Sequence, residues 1–172
     1  MRNFLLLLCI VFTQKIFAQV PMAMPPEADA FYKNAMPVIK PQIKDLIIKS
    51  AAALKNQRAN ADSLMKALQS NPKLKGMSEA NIAAISTLIM VQASNDADEE
   101  LKKMVLSMRG NSNDAEPVSN TGDKNQSGQQ INDRKQLMLQ MIMARKSKMA
   151  EEISLVFKKV PNNRDNIINN LK

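Results

Sequence analysis

The side chains that carry out most enzyme chemistry are scarce in this chain of 172 residues, which has no His, no Trp and one Cys. The one cysteine, Cys9, lies in an apolar stretch near the N-terminus. General acid–base and nucleophilic catalysis depend heavily on imidazole and thiol groups. The Ser and Lys residues form no Ser-x-x-Lys motif in a recognisable context. We therefore predict that the protein is not an enzyme and that it needs no cofactor.

A dense group of carboxylates is the next candidate for chemistry. Its members are Asp96, Asp98, Glu99 and Glu100. Paired carboxylates can hydrolyse glycosides, and carboxylate oxygens can bind divalent cations. However, the spacing is not that of a calcium-binding loop, and acidic residues are favoured at the positive N-terminal end of a helix. The cluster is therefore interpreted as a helix start, not as a catalytic or metal site.

Methionine is unusually frequent, with 13 residues. Thioethers are suitable ligands for Cu(I), and Met138, Met141 and Met143 lie close together in the chain. On a helix, however, Met141 and Met143 would point about 200° apart, since successive residues are about 100° apart. Methionine also fills irregular gaps in cores and in adaptable interfaces. We therefore predict core or interface packing and no metal site.

The N-terminal residues have the pattern of a secretory leader. A basic start precedes the apolar run 4–12, and the small residue Ala18 follows at a suitable distance for cleavage. The run is too short for a spanning helix, which needs about 20 residues. A lipid-anchored form would need a small residue before Cys9, where Leu8 stands. We therefore predict a signal peptide over 1–18, with export to the periplasm, the cell surface or the medium.

The rest of the chain predicts an all-α fold, because good helix formers dominate and alternating strand patterns are absent. The expected architecture is a small bundle of about four to six helices with a long C-terminal amphipathic helix. We expect no later transmembrane segment. The predicted divisions are a flexible lead-in over 19–26, a helical part over 27–109, a disordered linker over 110–130, and C-terminal helices over 131–172 that pack on the same domain.

Within the first helical part, apolar residues recur at spacings of three and four over 41–70 and 79–109. Ser78 is a candidate N-cap for the second of these segments. The pattern leaves open a break at Asn60, and it leaves open whether the second segment is one helix or two that join near Asn95.

The long C-terminal helix carries a basic flank beside an apolar stripe that is predicted to pack on the bundle. The stripe consists of Ile131, Met138, Met141, Ile142, Met149, Ile153 and Val156. The flank consists of Arg134, Lys135, Arg145, Lys146 and Lys148. Acidic residues dominate 96–123, whereas basic residues dominate 124–172. Such a surface can attract acidic partners. The flank is therefore a candidate partner-binding surface, and the alternative is that its charges keep an exported helical protein soluble.

These features together predict an exported, non-enzymatic helical protein that binds protein or has a structural role in the cell envelope. The alternative is a holdase-like periplasmic chaperone whose basic, methionine-rich surface accepts unfolded clients. A homo-oligomer is a further possibility, because the long helix could pair with a second copy. Nucleic acid is not an expected partner, because the chain offers few aromatic residues on which bases could stack.

Overall fold

A computed structural model of the chain describes residues 23–54, 60–110 and 124–172, and it describes the side chains of these residues except for 109–110 and 124–132. The described residues form six α-helices and one 3₁₀ turn, and no strand is found among them. The all-α helical bundle is thereby confirmed. The predicted leader lies outside the described residues. The helices are α1 (Pro26–Ala35), α2 (Pro41–Leu54), α3 (Ala61–Gln69), α4 (Glu79–Gly110), α5 (Lys124–Phe157) and α6 (Arg164–Leu171), and the 3₁₀ turn is Pro72–Leu74.

The apolar pattern over 41–70 is divided between α2 and α3. Asn60 has extended backbone angles, with φ −141° and ψ 115°. Its side-chain oxygen accepts a hydrogen bond of 2.8 Å from the backbone N–H of Ser63. This bond satisfies one of the free N–H groups of the first turn, so a helix start at Ala61 is favoured over continuation from α2.

The second pattern forms one continuous helix, α4, of 32 residues. The hydroxyl of Ser78 accepts from the N–H of Asn81 at 3.3 Å, which confirms the predicted cap. At about 1.5 Å per residue, α4 is about 48 Å long. The interpretation of the acidic cluster as a helix start was wrong, because Asp96 lies in the middle of α4.

The core surrounds the first half of α4. Every residue from Ile82 to Val91 is buried, so this segment is covered on all sides. A helix that is buried around its whole circumference is typical of the centre of a bundle. The surrounding helices contribute buried apolar residues that include Phe31, Ile47, Met65, Ile153 and Leu171.

The last helix, α6, contacts the N-terminal helices of the chain. The backbone N–H of Lys40 donates to the carbonyl of Leu171 at 2.9 Å, which joins the start of α2 to the end of α6. The rings of Phe31 and Phe157 lie 6.0 Å apart between their centroids. The guanidinium of Arg164 lies 4.5 Å from the centroid of the Phe157 ring, within the range of a cation–π contact. The C-terminal helices therefore pack on the same core as α1 and α2.

The longest helices, α4 and α5, pair along a hairpin that continues past this core. Among the described side chains, the last buried one on α4 is Ala97 and the first buried one on α5 is Ile142. We call residues 101–108 of α4 and 133–143 of α5 the distal hairpin. The backbone of α5 is helical from Lys124, inside the predicted linker, while residues 111–123 of that linker lie outside the described residues.

Candidate functional site

The predicted basic flank meets the acidic cluster at the base of the distal hairpin. Arg145 Nη2 lies 3.1 Å from Glu100 Oε2, and the ammonium of Lys146 donates to the carboxylate of Asp98. Lys148 Nζ lies 3.4 Å from Oε1 of Glu152 on its own helix. The first two pairs join α4 to α5 in an antiparallel register, whereas the third lies within α5. Most of the predicted flank is therefore engaged within the molecule.

The remaining members of the flank lie farther out. Arg134 is exposed and Lys135 is half-buried, both in the distal hairpin. On the facing helix, Lys102 and Lys103 are exposed. The described part of the distal hairpin has Asp133 as its one acidic residue. The described part of the distal hairpin is therefore basic.

Large apolar side chains are exposed on the same distal hairpin. Met141 is 64% exposed and Leu137 is 59% exposed. The exposed set, which we call the apolar surface, consists of Val105, Leu106, Leu137, Met138, Met141 and Met143. Exposed apolar side chains grouped in this way are typical of interaction sites.

The apolar surface extends around more than one side of the hairpin. Neighbouring residues on a helix point about 100° apart, so Val105 and Leu106 face different directions, as do Leu137 and Met138. The predicted packing stripe of α5 is correct for Ile142 and Met149, which are buried. Core packing does not extend to Met138 and Met141, because the bundle ends below them.

Sequence reasoning missed Leu106 and Leu137. A signal for them is present in the dipeptides Val105-Leu106 and Leu137-Met138. Two adjacent large apolar residues on a helix point about 100° apart, so a narrow packing face does not bury both of them fully. An amphipathic pattern with such pairs indicates more apolar surface than one packing face can bury.

A small cavity lies below the distal hairpin, between α2, α4 and α5, with a volume of about 210 Å³. Alanines provide the space, and the polar lining comes from Asp96, Glu100 and Arg145. The guanidinium of Arg145 already pairs with Glu100, and no lining residue is a Ser, Cys or His that could act as a nucleophile. Among the described residues, no cluster of three or more His, Cys, Asp or Glu could hold a metal ion.

A hydrogen-bonded chain connects this cavity to α1. The amide of Gln92 donates to Asp96 Oδ1 at 2.8 Å, and its oxygen accepts from the hydroxyl of Tyr32. Burial raises the pKa of Tyr32 above its usual value of 10.0, and the negative charge of Asp96 raises it further. The neutral phenol is therefore the form that suits this network.

Tyr32 is the one tyrosine of the chain, so its titration can be followed alone by near-ultraviolet absorbance. We expect the midpoint to lie above pH 10.0 in the folded protein. Asp96→Asn should lower the midpoint but not restore the usual value, because burial is the larger cause. Glu99→Gln, at an exposed position of the same helix, is the control and should leave the midpoint unchanged. An unchanged midpoint in Asp96→Asn would contradict the assigned coupling.

The same shift has a consequence for stability. A folded-state pKa above the unfolded one favours the protonated phenol in the native protein. The stabilising contribution is therefore complete below about pH 10 and is lost as the pH rises through the folded-state pKa. The free energy of unfolding of Tyr32→Phe should therefore lack this pH-dependent contribution at alkaline pH.

The protein is thus a small all-α bundle with an extended helical hairpin that carries the apolar surface. Comparison with known protein families, with curated proteins and with solved structures finds no significant match to the chain. A search of the described helices finds none that is both long and apolar enough to cross a membrane.

Proposed function

We propose that this protein is a non-enzymatic binding protein of the cell envelope, and that its distal hairpin binds apolar segments of partner polypeptides. The observation that carries the proposal is the apolar surface, which is exposed at the end of a hairpin held by ion pairs. The leader pattern over 1–18 supports an envelope location. The lack of imidazole groups supports a binding role over a catalytic one.

The charges next to the apolar surface specify the partner further. Lys102, Lys103 and Arg134 are exposed on the same distal hairpin as the apolar surface. Opposite charges at the rim of an interface raise association rates and select partners. The expected partner is therefore a polypeptide segment with an apolar centre and acidic flanks. Such a segment could bind in a helical or an extended form, because methionine side chains adapt to varied shapes.

A holdase-like chaperone is the second candidate. It is favoured by the distribution of the apolar surface over several sides of the hairpin, which suits a flexible client better than a rigid one. A selective binding protein should prefer one partner sequence, whereas a holdase should slow the aggregation of several unrelated unfolded proteins. Aggregation assays with several clients distinguish the two.

Peptide binding tests the proposal directly. The probes are fluorescent peptides with the same leucine-rich centre and either glutamate or lysine flanks, and their Kd is measured by anisotropy. We expect the glutamate-flanked peptide to bind more tightly, because the distal hairpin is basic. The double substitution Leu137→Ser with Met141→Ser should weaken its binding by about tenfold or more, because it removes apolar contact worth at least about 1.4 kcal/mol.

Leu155→Ser is the matched control, since Leu155 is exposed on the same helix but lies outside the distal hairpin. Its affinity should equal that of the unmodified protein. If the control weakens binding as much as the double variant, or if the double variant binds normally, the distal hairpin is not the binding site.

A further inference from the structure

The methionines of this protein differ sharply in their access to solvent. Met141 is 64% exposed, whereas Met149, two turns further along the same helix, is 1% exposed. The exposed group consists of Met138, Met141 and Met143, and all three belong to the apolar surface. The buried group includes Met65, Met90 and Met149.

This difference matters for oxidation, because a thioether reacts only where the oxidant can reach its sulfur. In the reaction with hydrogen peroxide, a sulfur lone pair attacks one peroxide oxygen and an S–O bond forms. The O–O bond breaks, the proton of the attacked oxygen passes to the departing hydroxide and water leaves, so the sulfur loses two electrons and the peroxide gains them. The product is a sulfoxide, which is polar where the thioether was apolar.

Few other groups compete for the oxidant. The chain has no Trp and no His, and Cys9 lies within the predicted leader. Thioethers are therefore the most readily oxidised groups of the chain once the predicted leader is removed. Among the described thioethers, the exposed ones are concentrated on one end of the molecule.

We propose that Met138, Met141 and Met143 are sulfoxidation sites, and that their oxidation by peroxide weakens the binding of apolar polypeptide segments. The second part rests on the proposed function. Three of the six members of the apolar surface would become polar. The buried methionines keep their thioethers, so the bundle remains folded while its binding surface changes.

The sites are tested by treating the folded protein with limiting hydrogen peroxide and mapping its peptides by mass spectrometry over time. We expect the three exposed methionines to be oxidised first, and Met65, Met90 and Met149 to react only after denaturant is added. Oxidation of the buried methionines at the same rate in the folded protein would overturn the assignment.

The effect on binding is tested with the glutamate-flanked peptide. Oxidised protein should bind it about tenfold or more weakly than untreated protein, with unchanged circular dichroism. The triple variant Met138→Leu, Met141→Leu and Met143→Leu keeps apolar side chains of similar volume, so it should bind normally and lose its sensitivity to peroxide.

The outcomes separate the two proposals. If untreated protein binds the peptide and oxidised protein binds it equally well, oxidation does not control binding. If untreated protein fails to bind, the proposed function and the control of binding both fail, while the peptide map still decides whether the three methionines are sulfoxidation sites.

Discussion

Ile85→Asp is expected to leave the protein unfolded at neutral pH. Ile85 is 0% exposed and lies in the segment of α4 that is buried on all sides. The substitution removes about 2 kcal/mol of apolar burial and adds an unpaired carboxylate, whose burial costs several kcal/mol more. The sum is comparable to the whole stability of a domain, about 5–15 kcal/mol. Circular dichroism during urea titration measures the effect.

The control for this experiment is Ile48→Asp, which makes the same chemical change at an exposed position of α2. Its free energy of unfolding should differ from that of the unmodified protein by about 0.5 kcal/mol or less. A cooperative transition of Ile85→Asp at the unmodified midpoint would show that the centre of α4 is not the core of the fold.

Glu152→Ala is expected to give the second largest loss of stability, about 2 kcal/mol. Glu152 is buried on α5, and its Oε2 accepts a hydrogen bond of 2.8 Å from the backbone N–H of Ala61, the first residue of α3. The carboxylate thus satisfies a free N–H of one helix from another helix. Its removal leaves that N–H buried without its acceptor, which costs the desolvation of the group.

Glu151→Ala is the matched control, because Glu151 is the exposed neighbour of Glu152 on the same helix. The free energies of unfolding of the two variants, measured by thermal and urea unfolding, should differ by most of the predicted loss of stability. Equal midpoints for the two variants would mean that the contact between Glu152 and Ala61 contributes nothing measurable to stability.

The same contact explains why the break between α2 and α3 could not be predicted with certainty. The apolar spacing continues through Ala61 and Leu64, so periodicity alone is compatible with one helix or with two. The helix start at Ala61 depends on a local cap from Asn60 and on a carboxylate far along the chain, at Glu152. Periodicity predicts which face of a helix is buried, but it does not reveal a contact with a distant residue.

The candidate site was less predictable than the helices. The basic residues of α5 were evident from the sequence, but their partners depend on the register between α4 and α5. That register brings Arg145 to Glu100 and Lys146 to Asp98, so the acidic cluster pairs with α5 from the middle of α4 and does not mark a helix start. The exposure of Met141 depends on where the bundle ends along α5. The apolar spacing of α5 alone does not reveal that position.

The joining of Lys40 to Leu171 has a consequence for the newly synthesised chain. The ribosome completes α1 to α4 before it makes the apolar faces of α5 and α6 that cover them. Until the final residues are added, the segment from Ile82 to Val91 has its neighbours from α1 to α3 but lacks those that α5 and α6 supply. The complete core therefore forms only after the last helix of the chain has been made.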